Sequence, residues 1–379
     1  MKILINAFGI QDSGGLTVFE KVLEEFLSNQ QNKYFIICND SPNINLLFNK
    51  YKKYKCFVFI IIQNKGFLYR LYYENFVFRT IIKKKEIELI YNFSGSSQLF
   101  MNTPQLIKIQ NLLFYCKKLD VVYKKKNQIV LWLKQIYLKR IVFKVMVNNS
   151  KYFEIQSSHV EKYLSDYIDT KNKFSYIKSD IDVSKNLFLK PKKYNLENRI
   201  KFLYIVGPHF EIIHKNFNDF TNAMLNLQKE GLDFEINITL TREQLQNSEQ
   251  WNNDLNKNTN FLGYVSDKSR MKELFSDNTI LISTSIIETL GLHIIEGIKN
   301  GVITVAPKEK YSKSVYGDNI ISYELFNDKS LSNSIFSIIE DKIDSENYIY
   351  NLQNDLKRSE NSKYQTIIDI FNKVKNVQK

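Results

Sequence analysis

The sequence predicts an α/β protein made of two doubly wound domains with mostly parallel sheets. Three observations carry this reading. Apolar runs of strand length alternate with helix-length amphipathic stretches along most of the chain. Its 379 residues suffice for two separate cores. A polar, basic stretch, Lys190-Pro191-Lys192-Lys193-Tyr194-Asn195-Leu196-Glu197-Asn198, reads as a linker between one α/β series and the next. The expected division is 1–190 and 191–360, with a C-terminal helix at 361–379 free to pack back on the first domain. Two such domains facing each other leave a cleft, and open α/β sheets bind ligands outside the carboxyl ends of their strands.

In the first series, strands are expected at Lys2 to Ala7, Tyr34 to Cys38, Cys56 to Ile62, Ile87 to Tyr91, Leu106 to Gln110, Lys144 to Val147 and Phe174 to Ile177. Val18, Val22, Leu23 and Phe26 recur at helical spacing, so a helix follows the first strand. In the second series, strands are expected at Ile200 to Val206, Asp233 to Thr239, Asn260 to Leu262, Asn278 to Ile282, Val302 to Ala306 and Asn319 to Ile321. Gly301 suits a helix C-terminus and Pro307 the end of the strand after it.

Composition narrows the class. Hydrophobic residues make up 44% and charged residues 25%, which fits a globular chain and not a disordered one. Cys38, Cys56 and Cys116 are widely spaced, so neither a disulfide framework nor a zinc cluster is indicated, and a reducing compartment fits. Met1 to Ala7 is too short an apolar run for a signal peptide and reads as a buried strand. No apolar run reaches the roughly 20 residues of a membrane span. A cytoplasmic location is expected.

The net charge of +13 is unevenly placed. Residues 50–86 hold ten basic and two acidic side chains, and residues 115–144 hold nine basic and one acidic. The remainder is slightly acidic, so an anionic partner is expected to meet the N-terminal half.

The most informative stretch is Ser285-Ile286-Ile287-Glu288-Thr289-Leu290-Gly291-Leu292-His293-Ile294-Ile295-Glu296-Gly297. Glu288 falls in a loop after a strand, and Glu296 in a helix that opens near Leu292. Two carboxylates at this spacing form either an acid/base couple or two grips on a ligand. Their apolar flanks leave them in need of partners. The backbone N–H groups of Thr289, Leu290, Gly291 and Leu292 lie at a helix start, where phosphate oxygens are favoured. Lys215 follows another strand, within His214-Lys215-Asn216, and an ammonium there suits a diphosphate. Ser13-Gly14-Gly15 lets backbone approach a ligand at the first strand-to-helix turn, or is simply a tight turn.

These residues resemble those of a known family. The chain is similar to the family-4 retaining glycosyltransferases of the GT-B fold, also called group 1 glycosyl transferases. The resemblance rests on Glu288 and Glu296, on Phe261 to Ser266, Leu274 to Asn278, Gly291-Leu292 and Glu296-Gly297, and on His214-Lys215-Asn216. It is strongest over about residues 200–310. In the N-terminal half it rests on Ser13-Gly14-Gly15, and less on Asn111 and Gln156-Ser157-Ser158-His159-Val160.

The resemblance implies two facing Rossmann-like domains, acceptor-binding first and nucleotide-sugar-binding second. It implies that Glu296 holds the ribose and Glu288 contacts the donor hexose, beside the Thr289 to Leu292 backbone. Lys215, with His214, would face the diphosphate. Gly14 and Gly15 would approach the phosphate, and Tyr264 and Val265 would border the base. Asn111 falls on the acceptor side. Under this reading the two carboxylates form a donor clamp, with Glu288 and Lys215 carrying catalysis. The expected reaction is transfer of a hexose, with retention, from a UDP- or GDP-linked donor to a glycan or lipid-linked acceptor in bacterial surface polysaccharide or lipopolysaccharide synthesis. No cofactor and no metal are expected; Asp180-Ile181-Asp182 reads as a turn and not as a metal motif. Two departures stand out. Phe210 occupies the place where many relatives carry an arginine, and His293 stands where many carry proline.

Between residues 115 and 144, lysines alternate with Leu131, Trp132, Leu133, Ile136, Tyr137 and Leu138. Such a stretch suits an anionic membrane surface, nucleic acid, or a core helix with a solvated face. Membrane docking at the inner face of the cell membrane is preferred and nucleic acid is not expected; Tyr69 to Arg79 would extend the same face. The remaining alternatives are a GT-B sugar-nucleotide epimerase and a non-enzymatic basic binding protein.

Overall fold

The computed structural model describes every residue except 11–12, 64, 181–187, 196–197, 266, 328, 341–343, 359–365 and 378–379. The chain forms two compact units. One comprises Met1–Cys116, Gln128–Ile181 and Lys363–Lys379; the other comprises Lys117–Asn127 and Asp182–Ser362.

The first unit holds a seven-stranded sheet, every neighbouring pair parallel. Its strands are β1 (Lys2–Ala7), β2 (Lys33–Asn39), β3 (Phe57–Ile62), β4 (Leu89–Asn92), β5 (Gln105–Ile109), β6 (Tyr152–Ile155) and β7 (Phe174–Ile177), in the order β3-β2-β1-β4-β5-β6-β7. β1 and β2 are covered on both faces, which is why they read as continuous apolar runs. Leu4, Phe8, Ile37, Phe78 and Ile90 form one core layer. The helix Ser13–Leu27 packs with the C-terminal helix Ile367–Asn376: Phe26 meets Phe371, and Glu25 accepts the Ile367 N–H at 2.9 Å.

The second unit holds a six-stranded parallel sheet of β8 (Ile200–Tyr204), β9 (Phe234–Ile238), β10 (Thr259–Phe261), β11 (Thr279–Ile282), β12 (Ile303–Pro307) and β13 (Ile321–Tyr323), ordered β10-β9-β8-β11-β12-β13. Phe202, Phe217, Phe220, Met224, Ile236 and Ile280 centre its core. Among the described residues no helix is long and apolar enough to cross a membrane.

Two expectations change. Lys144 to Val147 lies in the helix Leu138–Asn148, where Met146 and Val147 are buried and Val145 is exposed. The strand is instead Tyr152–Ile155, which carries the buried Glu154. The linker stretch is not free chain where it is described. Leu189 N–H bonds Lys299 O, Lys192 N–H bonds Gly301 O, and the Asn278 N–H bonds Lys193 O, so this backbone is laced to the second unit.

Glu154 is tolerated inside because a charge network surrounds it. Lys108 bonds both Glu154 and Asp180, Tyr91 donates to Glu154 at 2.5 Å, and Lys178 pairs with Glu25 at 2.9 Å. Burial pushes the Asp180 carboxyl up, but Lys108 and Lys178 bring it below its ordinary value. Asp180 is thus committed to the core; Asp182, its companion in the Asp-x-Asp stretch, lies outside the described residues. Lys108→Met keeps the volume yet strands buried carboxylates, so it is expected to cost about 3–5 kcal/mol in chemical denaturation.

Candidate functional site

In the second sheet the strand order reverses between β8 and β11. The chain leaves these neighbouring strands toward opposite faces, which opens a crevice at their carboxyl ends. A small recess lies there, lined by Tyr204, Val206, Lys215, Ser283, Ser285 and His293 among others.

Side chains from both loops meet across it. The Lys215 ammonium pairs with Glu288 Oε1 at 2.7 Å. Thr284 donates its hydroxyl to Lys215 O at 2.7 Å, and so accepts from the Tyr204 hydroxyl at 2.6 Å. The Ile286 N–H bonds His214 O at 2.7 Å, and the Tyr311 hydroxyl bonds Ser285 O at 2.6 Å. These bonds hold the loop after β11 onto the turn Ile213–Lys215. The helix Lys117–Lys125 also packs against that turn, with Lys118 bonded to Glu309.

The helix Leu292–Lys299 begins at Gly291, whose φ of 56° lies in the left-handed region. A Cβ there would also overlap the Tyr316 hydroxyl, so glycine is required twice over. Thr289 and Leu292 are half-buried and Leu290 is buried, and His293, in the first turn of this helix, lines the recess. Glu296 is exposed on this helix, whereas Glu288 is half-buried and ion-paired.

Electrostatics follow from burial and this ion pair. Burial pushes the Glu288 carboxyl up, but Lys215, aided by His293 and a hydrogen bond from Ser285, pulls it down to about 2. Burial lowers His293 to about 4, with Glu288 opposing and Lys215 assisting. Burial and Lys215 likewise lower His214 to about 4. Both imidazoles are therefore neutral at pH 7, and His214 Nδ1 is buried without a partner among the described residues.

The other site residues fall as follows. Tyr264 is 86% exposed in the loop after β10, beside half-buried Val265. Gly14 and Gly15 form the first turn of the helix Ser13–Leu27 in the first unit. Asn111 is exposed, and its side chain accepts the Leu113 N–H at 2.9 Å, so it shapes a turn. Phe210 is buried against Phe217 at 4.9 Å between ring centres. The position that many relatives give to arginine thus belongs to the core here. Tyr204, Ser283 and Thr284 carry no motif in the sequence. Their only signal there is their place at strand ends.

Residues 189–355 match the family model of the glycosyl transferases group 1.

Over those residues the second unit is similar to the group 1 glycosyl transferases, and the whole chain has the GT-B fold. A glycosyltransferase from Rickettsia africae superposes with a TM-score of 0.63 at 17% identity, covering 98% of each chain. Sucrose-phosphate synthase from Thermosynechococcus elongatus gives 0.70 at 14% identity, covering 99% of each. Anabaena Alr3699/HepE in complex with UDP gives 0.67 at 11% identity, covering each chain fully. No curated protein matches the sequence.

The depressed histidines set an acid response. The unfolded chain takes up protons near pH 6.5 and the folded site only near 4, so this stability is complete above 6.5 and lost as pH falls toward 4. Glu288 contributes above about 4.5 and loses its share as pH falls to about 2. Thermal melts from pH 7 to 4 are expected to show a falling Tm, with a shallower fall in His293→Gln and shallower still with His214→Asn added.

Proposed function

We propose that the chain is a retaining, family-4 glycosyltransferase. It moves a hexose from a UDP- or GDP-linked donor to a glycan or lipid-linked acceptor in surface polysaccharide or lipopolysaccharide synthesis. The observation that carries this reading is the Lys215–Glu288 pair at the strand-order reversal of a unit similar to the group 1 glycosyl transferases. Among structures of the same fold are a complex of HepE with UDP and glucose, the lipopolysaccharide outer core galactosyltransferase WaaB, and WaaG, described as involved in lipopolysaccharide biosynthesis.

The chemistry follows from charge. Departure of a nucleoside diphosphate needs its growing negative charge stabilised. Lys215 is the cation nearest the recess, and the Leu292–Lys299 helix start adds amide donors. A diphosphate competes with Glu288 for Lys215, which frees Glu288 to accept from hexose hydroxyls. Glu296, exposed on the helix, takes the ribose hydroxyls, and Tyr264 borders the base. The neutral histidines donate hydrogen bonds without adding charge. No metal is needed in this scheme, and retention follows a front-side route in which the leaving phosphate oxygen takes the acceptor proton.

The same proposal places the enzyme at an anionic membrane surface on the inner face of the cell membrane. Ile129–Trp132, a π-helical turn Leu133–Tyr137 and Leu138–Asn148 make one long helix in the first unit. Val130, Leu133, Tyr137, Leu138, Ile141 and Val145 are exposed along it, with exposed Lys134, Lys139 and Lys144 between them. That pairing of apolar stripe and cations fits an acidic bilayer, at about 1 kcal/mol per lysine. Arg140 does not contribute, because it is buried and bonded to Phe114 O.

Lys215→Ala is expected to lower kcat/KM for donor-dependent transfer by about 10²–10³. Glu296→Ala is expected to shrink the thermal shift given by UDP or GDP. Purified protein that transfers no sugar from any donor, or converts the donor without an acceptor, would overturn the transferase reading. Val130→Asp with Leu138→Asp is expected to abolish co-sedimentation with phosphatidylglycerol vesicles, and high salt to weaken it in the wild type.

A further inference from the structure

The first sheet has its own reversal of strand order, between β1 and β4, and a second polar cluster occupies it. Asn6 ends β1 beside Asn92 of β4, and the two side chains bond at 3.1 Å. Glu74 comes from a π-helical turn, Tyr73–Val77, set between the helices Phe67–Tyr72 and Phe78–Lys85. Its side chain is fully buried, and Oε1 accepts from Asn6 at 2.8 Å, Ser96 at 2.9 Å and Arg70 Nε at 2.9 Å. Its second oxygen, Oε2, is buried without a partner among the described residues, as is Oε1 of Gln98, which bonds Asn92 in the same network. Buried acceptors left open in this way are costly and call for a donor.

Arg70 is the open edge of the cluster. Glu74 fixes its Nε, Ser96 accepts from Nη2 at 3.0 Å, and 18% of the side chain remains exposed. The guanidinium lies against Gly9, where a Cβ would overlap it. Nη2 also donates to Ser94 O at 3.5 Å, so a guanidinium held this way keeps its Nη1 donors for an oxyanion. The surrounding charge favours the same ligand. Residues 50–86 contain two carboxylates: Glu74 has no exposed surface, and Glu86 pairs with Lys2 at 2.6 Å. Lys65 and Arg79 are exposed in the same stretch.

We infer that this cluster anchors the acceptor, and that the acceptor presents an anionic oxygen group, a phosphate or a carboxylate, to Arg70. The inference rests on reading the chain as a glycosyltransferase. It adds a substrate class: an acidic acceptor and not a neutral sugar. Glu74 acts through Arg70 as a positioning residue.

The test uses the full chain carrying Lys215→Ala, so that the second unit's cation cannot supply the contact. Ligand-observed NMR titrations compare glucose 1-phosphate, glucuronate, inorganic phosphate and glucose. Expected is binding of at least one acidic sugar tenfold or more tighter than glucose. Preference for glucose 1-phosphate assigns a phosphate, and preference for glucuronate a carboxylate. Arg70→Gln is expected to remove the preference, and Arg70→Lys, with charge but no fork, to restore part of it. Melting curves check that both variants fold. Equal binding of glucose and the acidic sugars, no binding of any probe, or an unchanged preference in folded Arg70→Gln overturns the inference. The thermal shift given by UDP to the protein with Lys215 intact is read separately. If UDP stabilises it and the acidic sugars fail, the donor reading stands and this one falls. If UDP fails and the Arg70-dependent preference holds, the transferase reading falls and the anion site remains.

Discussion

In both sheets the strand order reverses beside the first strand, and much of the chemistry depends on that constraint. Two neighbouring parallel strands send their following segments to opposite faces, which leaves a gap at their carboxyl ends. Backbone and side chains at such a gap lose the partners that a continuous helix layer would give. They bond across the gap to each other or to a ligand. In the second unit Lys215 from one side meets Glu288 from the other. In the first, Asn6, Glu74, Asn92 and Ser96 close the gap with Arg70 at its rim.

The two crevices differ in how completely they are satisfied. Around Lys215 the backbone is tightly tied, through Thr284, Tyr204, His214 and Ile286, so the ammonium has a fixed origin and a carboxylate to rest against. Phe210 sits in the aromatic core with Phe217 and Trp251, and the crevice draws no cation from that position. In the proposed reaction the stabilisation of the leaving diphosphate then rests on Lys215 and the helix-start amides. The two histidines stay neutral because burial makes their protonation costly, so they add hydrogen bonds and leave the local charge unchanged.

Much of the fold was legible from periodicity. Strands buried on both faces gave continuous apolar runs, and β1 was placed with its observed limits. The failures share one physical cause. Val145 to Val147 is an apolar run with two β-branched residues, yet belongs to a helix whose outer stripe is itself apolar, so local composition resembles a strand. Tyr152–Ile155 is a strand of four residues with a carboxylate, Glu154, at a buried position, which no apolar run announces. Only Lys108 and Tyr91, 46 and 63 positions away in the chain, make it tolerable. In the candidate site, Lys215 and Glu288 were found because each lies just past an apolar strand. Arg70 and Glu74 were hidden within a basic, aromatic helix, where nothing in their spacing separates a buried carboxylate from a solvated one.

The sequence by itself determined the class of fold, the alternation of strand and helix, the loop and helix that carry Glu288 and Glu296, and the uneven charge. Those features are written locally, in runs of a few residues. Tertiary structure alone decided which residues became partners: Glu288 with Lys215 and not with Glu296, Asp180 with Lys108 inside the core, Glu74 with Arg70 and Asn6. Those pairings depend on strand order and on which groups burial deprives of water. Neither quantity is a property of any short stretch of the chain.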